Sequence, residues 1–242
     1  MQLQDRVAVI TGASRGLGRE IARLYARQGA RLVLVARGEA ALREAAEELS
    51  GLTETLAVAA DVGEDAERIV QTALGRFGRV DVLINNASEI GPSPMPYLEV
   101  YPRDALLRVF RINAVAPVHL TQLLLPQMKA RREGVIINVT SDAGVRAYLG
   151  WGGYGASKTA LEHLSRVLAR ELEGSGVRVY LVDPGDMNTE MHRQAEPGVD
   201  LSGLPGPEVS APAFVYLVEE ETAPSGRFEA MKIAESTGAA VG

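Results

Sequence analysis

The chain contains no cysteine. That excludes disulfides, thiol catalysis and sulfur-ligated metal sites. Histidine is almost as scarce, with His119, His163 and His192 the only three. None stands in a metal-ligand pair, so no catalytic metal is expected. No apolar run approaches the length that spans a bilayer, and no basic segment leads into an apolar one at the amino end. Positive charge is also in deficit. The net charge is −6, which disfavours nucleic acid and anionic membranes as partners. A cytoplasmic protein acting on small molecules is the expectation. Lysine is as scarce as histidine: among 25 Lys and Arg residues only Lys129, Lys158 and Lys232 are lysine. Lys158 therefore needs a reason.

What is present is ordinary for a globular protein: 46% hydrophobic and 23% charged residues in 242. That length suits one layered α/β domain spanning 1–242. Short β-branched runs, RVAVIT (6–11), RLVLVA (31–36), TLAVAA (55–60), VDVLIN (80–85), GVIINVT (134–140) and VRVYLVD (177–183), are continuously apolar. Parallel strands covered on both faces read this way. Between them lie helical patterns such as GREIARLYARQ and EAALREAAEEL. A helix near 208–221 and a strand-like GRFEAMKI follow. The expectation is a doubly wound, Rossmann-like fold with a mostly or fully parallel seven-stranded sheet flanked by helices. The Pro- and Gly-rich stretch 184–207 is expected to be structureless and to act as a mobile lid over the substrate.

The first strand runs into TGASRGLGRE (11–20) and then a helix. Glycines there let backbone N–H groups and a helix N-terminus face a pyrophosphate. The second strand ends in Ala36-Arg37 instead of the acid that NAD binders place there, and Arg15 sits inside the turn. Two guanidiniums suit a 2′-phosphate, so NADP(H) is expected, with NAD(H) the alternative. Asp61 closes the third strand, where it would contact adenine or start a helix.

Tyr154 and Lys158 lie four residues apart, on one helix face. A free phenol titrates near 10. An ammonium about 5 Å away, at an effective dielectric near 20, contributes roughly 3 kcal/mol, enough to lower that by about two units. A phenol so tuned would serve as general acid or base. Ser141 follows the fifth strand, where open α/β sheets bind ligands, and would hydrogen-bond a carbonyl oxygen. Asn113, inside a helical pattern that asparagine disfavours, would hold a water or a backbone carbonyl, or be a satisfied structural residue.

TGASRGLG, NNAS (85–88), Asn113, Ser141, Tyr154 with Lys158, and DPGDMNTEM (183–191) together resemble the short-chain dehydrogenase/reductase family over nearly the whole chain. The resemblance implies hydride transfer between a nicotinamide cofactor and a ketone or secondary alcohol. It makes Tyr154 the acid/base, Lys158 the residue that lowers its pKa and holds the nicotinamide ribose, and Ser141 the group orienting the substrate oxygen. Asn113 would anchor a water. The cofactor would be held by Gly12, Ser14, Arg15, Gly16, Leu17, Gly18, Arg37, Asp61, Val62, Asn86, Ala87, Tyr154, Lys158, Pro184, Gly185, Met187 and Thr189. A homodimer or homotetramer is implied. Two other readings stand beside it: a non-catalytic nucleotide-binding regulator, and an epimerase or dehydratase on the same cofactor site. Ser88 replaces the family's glycine, Asp186 is an acid beside the nicotinamide segment, and the usual VDGG ending is missing. Met95, Tyr97, Tyr148, Leu149, Trp151, Met187 and Met191 are expected to border the substrate, favouring a partly apolar carbonyl compound.

Overall fold

Alternate residues of an apolar run face opposite ways, and in the central strands both sets are buried. The computed structural model, which describes residues 1–220 and 223–237, shows this in its first strand, β1 (Val7–Thr11). Ala8 and Ile10 enter one core while Val7 and Val9 enter another. The remaining strands are β2 (Arg31–Ala36), β3 (Thr55–Ala59), β4 (Val82–Asn85), β5 (Gly134–Val139), β6 (Val177–Asp183) and β7 (Gly226–Glu229). They form one sheet in the order β3-β2-β1-β4-β5-β6-β7, with every pairing parallel. The order reverses beside β1, so the crevice at the carboxyl ends of β1 and β4 is where such a sheet binds ligands.

Helices cover both faces. One core gathers residues of α1 (Gly16–Arg27), α2 (Glu39–Ser50), α8 (Pro212–Glu219) and α9 (Ala230–Thr237). Tyr25 ties α1 to α8, its hydroxyl donating to the Phe214 carbonyl at 2.9 Å. The other core gathers α3 (Ala66–Phe77) and α5 (Ala116–Arg131). Between α3 and α5 stands α4 (Arg103–Phe110), which runs into α5 through one widened π turn, Arg111–Val115. Pro117 explains the widening in part: without an N–H it cannot bond the carbonyl of Asn113 four residues back.

Two expectations need correction. The GRFEAMKI segment is strand only as far as Glu229; Ala230 begins α9, which packs on α8. The 184–207 stretch is not structureless, because it holds α7 (Glu190–Ala195), capped by the Thr189 hydroxyl accepting from the His192 N–H. The final residues of the atypical ending fall outside those described.

The long α6 (Gly152–Glu171) connects β5 to β6 and packs on β6 and on the turn after β5. A polar ladder fixes it there. Asn85 donates to Asn138 at 2.7 Å, Asn138 donates to Ser165 of α6 at 2.8 Å, and Ser165 donates to the Leu161 carbonyl. Its first turn lies almost against the short turn Asp142–Gly144 that follows β5. A Cβ on Gly155 would stand 2.6 Å from the Ala143 carbonyl oxygen. Glycine at 155 thus sets the distance between Tyr154 and Ser141. Gly155→Val is expected to destabilise the protein by about 1–3 kcal/mol through overpacking, read as a lowered denaturant midpoint at unchanged slope.

Candidate active site

A cleft of about 1070 Å³ runs from the glycine turn after β1 to the start of α6. Its far end is built on four side chains. Tyr154 and Lys158 project from one face of α6, Ser141 from the end of β5, and Ser88 from the end of β4. Lys158 is only 2% exposed, and its ammonium donates to the Val139 carbonyl at 2.9 Å. The Nζ lies 5.5 Å from the centroid of the Tyr154 ring. Trp151 meets that ring edge-on at 5.7 Å, and Tyr148 meets Trp151 at 6.3 Å. Met95 and Met191 pack on the same small cluster.

The pair has the expected geometry, but the phenol shifts the other way. Burial pushes Tyr154 up to about 12, although the Ser141 and Ser88 hydroxyls pull it down. Asp183 and Asp142 add to the rise. Burial likewise draws Lys158 down to about 8, with Asp183 opposing. Loss of water around the phenol therefore outweighs the groups that pull it down. The expectation that Lys158 brings the phenol below its ordinary range does not hold for the chain alone.

The model of the short chain dehydrogenase family matches residues 6–200. The chain belongs to that family. This short-chain dehydrogenase is 32% identical over 226 residues to an oxidoreductase of Escherichia coli, YciK, covering 91% of this chain and 88% of that one. A Pseudomonas syringae chain assigned to the short chain dehydrogenases superposes with a TM-score of 0.88 at 35% identity, covering 95% and 96% of the two chains. A metagenomic short-chain oxidoreductase in complex with NADP gives 0.82 at 31% identity, covering 95% and 98%. As in that family at large, the protein is an oxidoreductase with the Rossmann-like sheet described above.

The opposite end of the cleft is the glycine turn. Gly12 and Gly16 adopt φ of +66° and +55°. Gly18 does not face the cleft. A Cβ there would lie 2.4 Å from the Gly12 carbonyl oxygen, so its role is to let the turn close on α1. Ser14, Arg15, Gly16, Leu17, Arg37, Asp61, Val62, Asn86, Ala87, Pro184, Gly185, Met187 and Thr189 all line the cleft. Several also hold its walls. Asn86 donates to the Thr11 and Gly12 carbonyls at 2.8 and 3.2 Å. Asp61 accepts from the Gly63 N–H and from Arg108, at 2.9 and 3.2 Å, so its carboxylate is engaged in the turn before α3. Arg15 reaches Glu190 of α7 at 2.7 Å, and Arg37 reaches Glu89 at 3.6 Å. Both guanidiniums are about 60% exposed.

Asn113 is buried behind this end and does not face the cleft. Its Oδ1 accepts from Ser88 at 3.1 Å and from the Glu89 N–H at 2.8 Å. Its Nδ2 donates to the Glu89 carbonyl at 2.8 Å and to Ser157 at 2.9 Å. The side chain is thus a structural brace joining the π turn, the loop after β4 and α6. Ser88 links that brace to the phenol. Of the residues expected at the substrate, Tyr148, Trp151, Met187 and Met191 line the cleft, whereas Tyr97 and Leu149 are exposed outside it.

Sequence reasoning passed over a buried ion network beneath Lys158, built from Asp183, Arg227 and Glu162. The one available signal was the acid directly before Pro184, at the end of β6. Asn113→Ala removes four hydrogen bonds at once and is expected to cost about 3 kcal/mol. Chemical denaturation checks this; a change within 0.5 kcal/mol, about the scatter of surface substitutions, would contradict the brace.

Proposed function

We propose that this protein is an NADP(H)-dependent oxidoreductase that moves a hydride between the nicotinamide and a carbonyl or secondary-alcohol substrate, with Tyr154 as general acid/base. The observation that carries the reading is a buried phenol and a buried amine beside the half-buried Ser141 hydroxyl, at one end of a cleft whose other end presents two arginines. The lining fits the cofactor part by part. Arg15 and Arg37 suit a 2′-phosphate, the turn with Gly12 and Gly16 suits a pyrophosphate, and Ala36, Ala60 and Val62 offer apolar walls for an adenine. Neighbouring structures of 31% and 29% identity are complexes with NADP and NADPH, which supports the phosphorylated cofactor. When bound, that cofactor supplies or accepts the hydride.

The chain's own groups handle the proton and the oxygen. A phenol near 12 is protonated at neutral pH, so the resting site is set to donate. Ser141 and the Tyr154 hydroxyl would receive the substrate oxygen between them and stabilise its charge as the carbon–oxygen double bond gives way to an alcohol. Tyr154 Oη releases its proton to that oxygen. Lys158, still charged at neutral pH, would steady the phenolate left behind and would donate to a ribose hydroxyl of the bound cofactor. Trp151, Met187 and Met191 keep the reacting face apolar and exclude water.

Replacing Tyr154 with Phe should lower kcat by about 10²-fold or more while leaving NADPH affinity within a few-fold. Absorbance of the reduced nicotinamide against a panel of ketones reads the first, and fluorescence quenching the second. Full retained turnover would overturn the assignment. Cofactor binding with no net consumption across the panel would instead favour the epimerase or regulator reading. Arg37→Asp should weaken NADPH binding about tenfold or more while sparing NADH, because a carboxylate then faces the 2′-phosphate. An unchanged preference would remove Arg37 from the site.

A further inference from the structure

Beneath the reacting end, alternating charges run from α6 through β6 and β7 and back to α6. Lys158 donates to the Val139 carbonyl at the end of β5, and Val139 pairs with Val182 of β6. The next residue of β6, Asp183, therefore stands on the neighbouring strand end, and adjacent strands lie about 4.8 Å apart. Asp183 is buried. Its Oδ1 accepts from the Gly185 N–H at 3.0 Å and its Oδ2 from Arg227 at 2.7 Å. Arg227 arrives on β7, opposite Leu181, and its Nε donates to Glu162 at 3.0 Å. Glu162 is buried one helical turn beyond Lys158; it accepts from Thr140 at 2.9 Å and pairs with Arg166 at the surface.

We propose that Asp183 is a positioning residue for the reaction: its carboxylate, oriented by Arg227 and the Gly185 N–H, keeps the Lys158 amine charged and beside the cleft. The inference rests on Lys158 being the cation of the reacting end. A buried amine sheds its proton unless an anion compensates the lost water. Arg227 is shared between Asp183 and Glu162, and Glu162 also pairs with Arg166, so Asp183 is the anion of this network that acts on Lys158. Burial has already lowered the Lys158 pKa, and Asp183 is the charge acting against that fall. The other groups facing this space are Tyr154 on α6, Asp142 after β5, which acts on both Asp183 and Tyr154, and Glu229 of β7, 3.9 Å from Arg227. A carboxylate that served only to neutralise Arg227 would have no bearing on the amine, and this separates the two roles.

The scarcity of lysine makes the test direct. Protein labelled with ¹³C-lysine gives three sets of side-chain signals, and Lys158→Met assigns one of them. A proton–carbon NMR titration of the cofactor-free protein then reads the Lys158 midpoint with no substrate involved. The wild type should titrate near 8, and Asp183→Asn should move that midpoint down by about one unit. Asp183→Glu should restore most of the shift. The double variant Asp183→Asn/Arg227→Gln leaves no buried cation stranded, which guards against unfolding, and should shift in the same direction. A Lys158 midpoint unchanged within about 0.2 units in both Asn variants would overturn the proposal. The network would stand, and the hydride-transfer reading alone would fall, if the shift occurred while Tyr154→Phe retained full turnover.

Discussion

The structure turns on loss of water around two ionisable groups held on one helix face. Tyr154 and Lys158 are both nearly inaccessible, and burial disfavours the charged form of each. The phenol therefore holds its proton, and the amine, still charged at neutral pH, holds its own less tightly than a free one. Neither tendency follows from the four-residue spacing. Both follow from where α6 is laid, and that position is fixed by Gly155 against Ala143, by the Asn85–Asn138–Ser165 ladder and by the Asn113 brace.

At the other end of the cleft the charges are paired and exposed. Arg15 holds Glu190 of α7, and Arg37 holds Glu89 in the loop after β4. Exposed pairs of this kind contribute little to stability, so a dianionic phosphate can displace the carboxylates at small cost. The same cleft thus combines soft, exchangeable ion pairs where a cofactor would be gripped with hard, buried ones where chemistry would occur. Asp183, Arg227 and Glu162 belong to the second kind. Breaking a buried pair by removing one partner is costly, which makes that network a firm support for the amine above it.

Much of this could be read in the residues. Continuous apolar runs such as VAVIT and VRVYLVD announced parallel strands, and the glycine turn entering a helix announced the crevice beside β1. The spacing of Tyr154 and Lys158 announced a shared face. What stayed hidden depends on tertiary placement. GRFEAMKI reads as a strand because Phe228, Met231 and Ile233 are apolar, yet Ile233 joins Ala230 on the buried face of α9. Asn113 read equally as a group holding a water or a carbonyl and as a satisfied structural residue, and only the packing of α6 and the loop after β4 shows its side-chain bonds consumed. The direction of the phenol's shift was beyond pairwise reasoning, since a spacing shows a neighbouring charge but not how much water has been removed. Asp183 and Arg227 are 44 residues apart in sequence and meet only because β7 adds to β6.

The central claim is that burial holds this phenol protonated well above neutral pH. It is tested most directly by ¹³Cζ-tyrosine NMR, following Tyr154 through a pH titration of the protein. The account predicts a midpoint near 12. A midpoint below about 10 would contradict it.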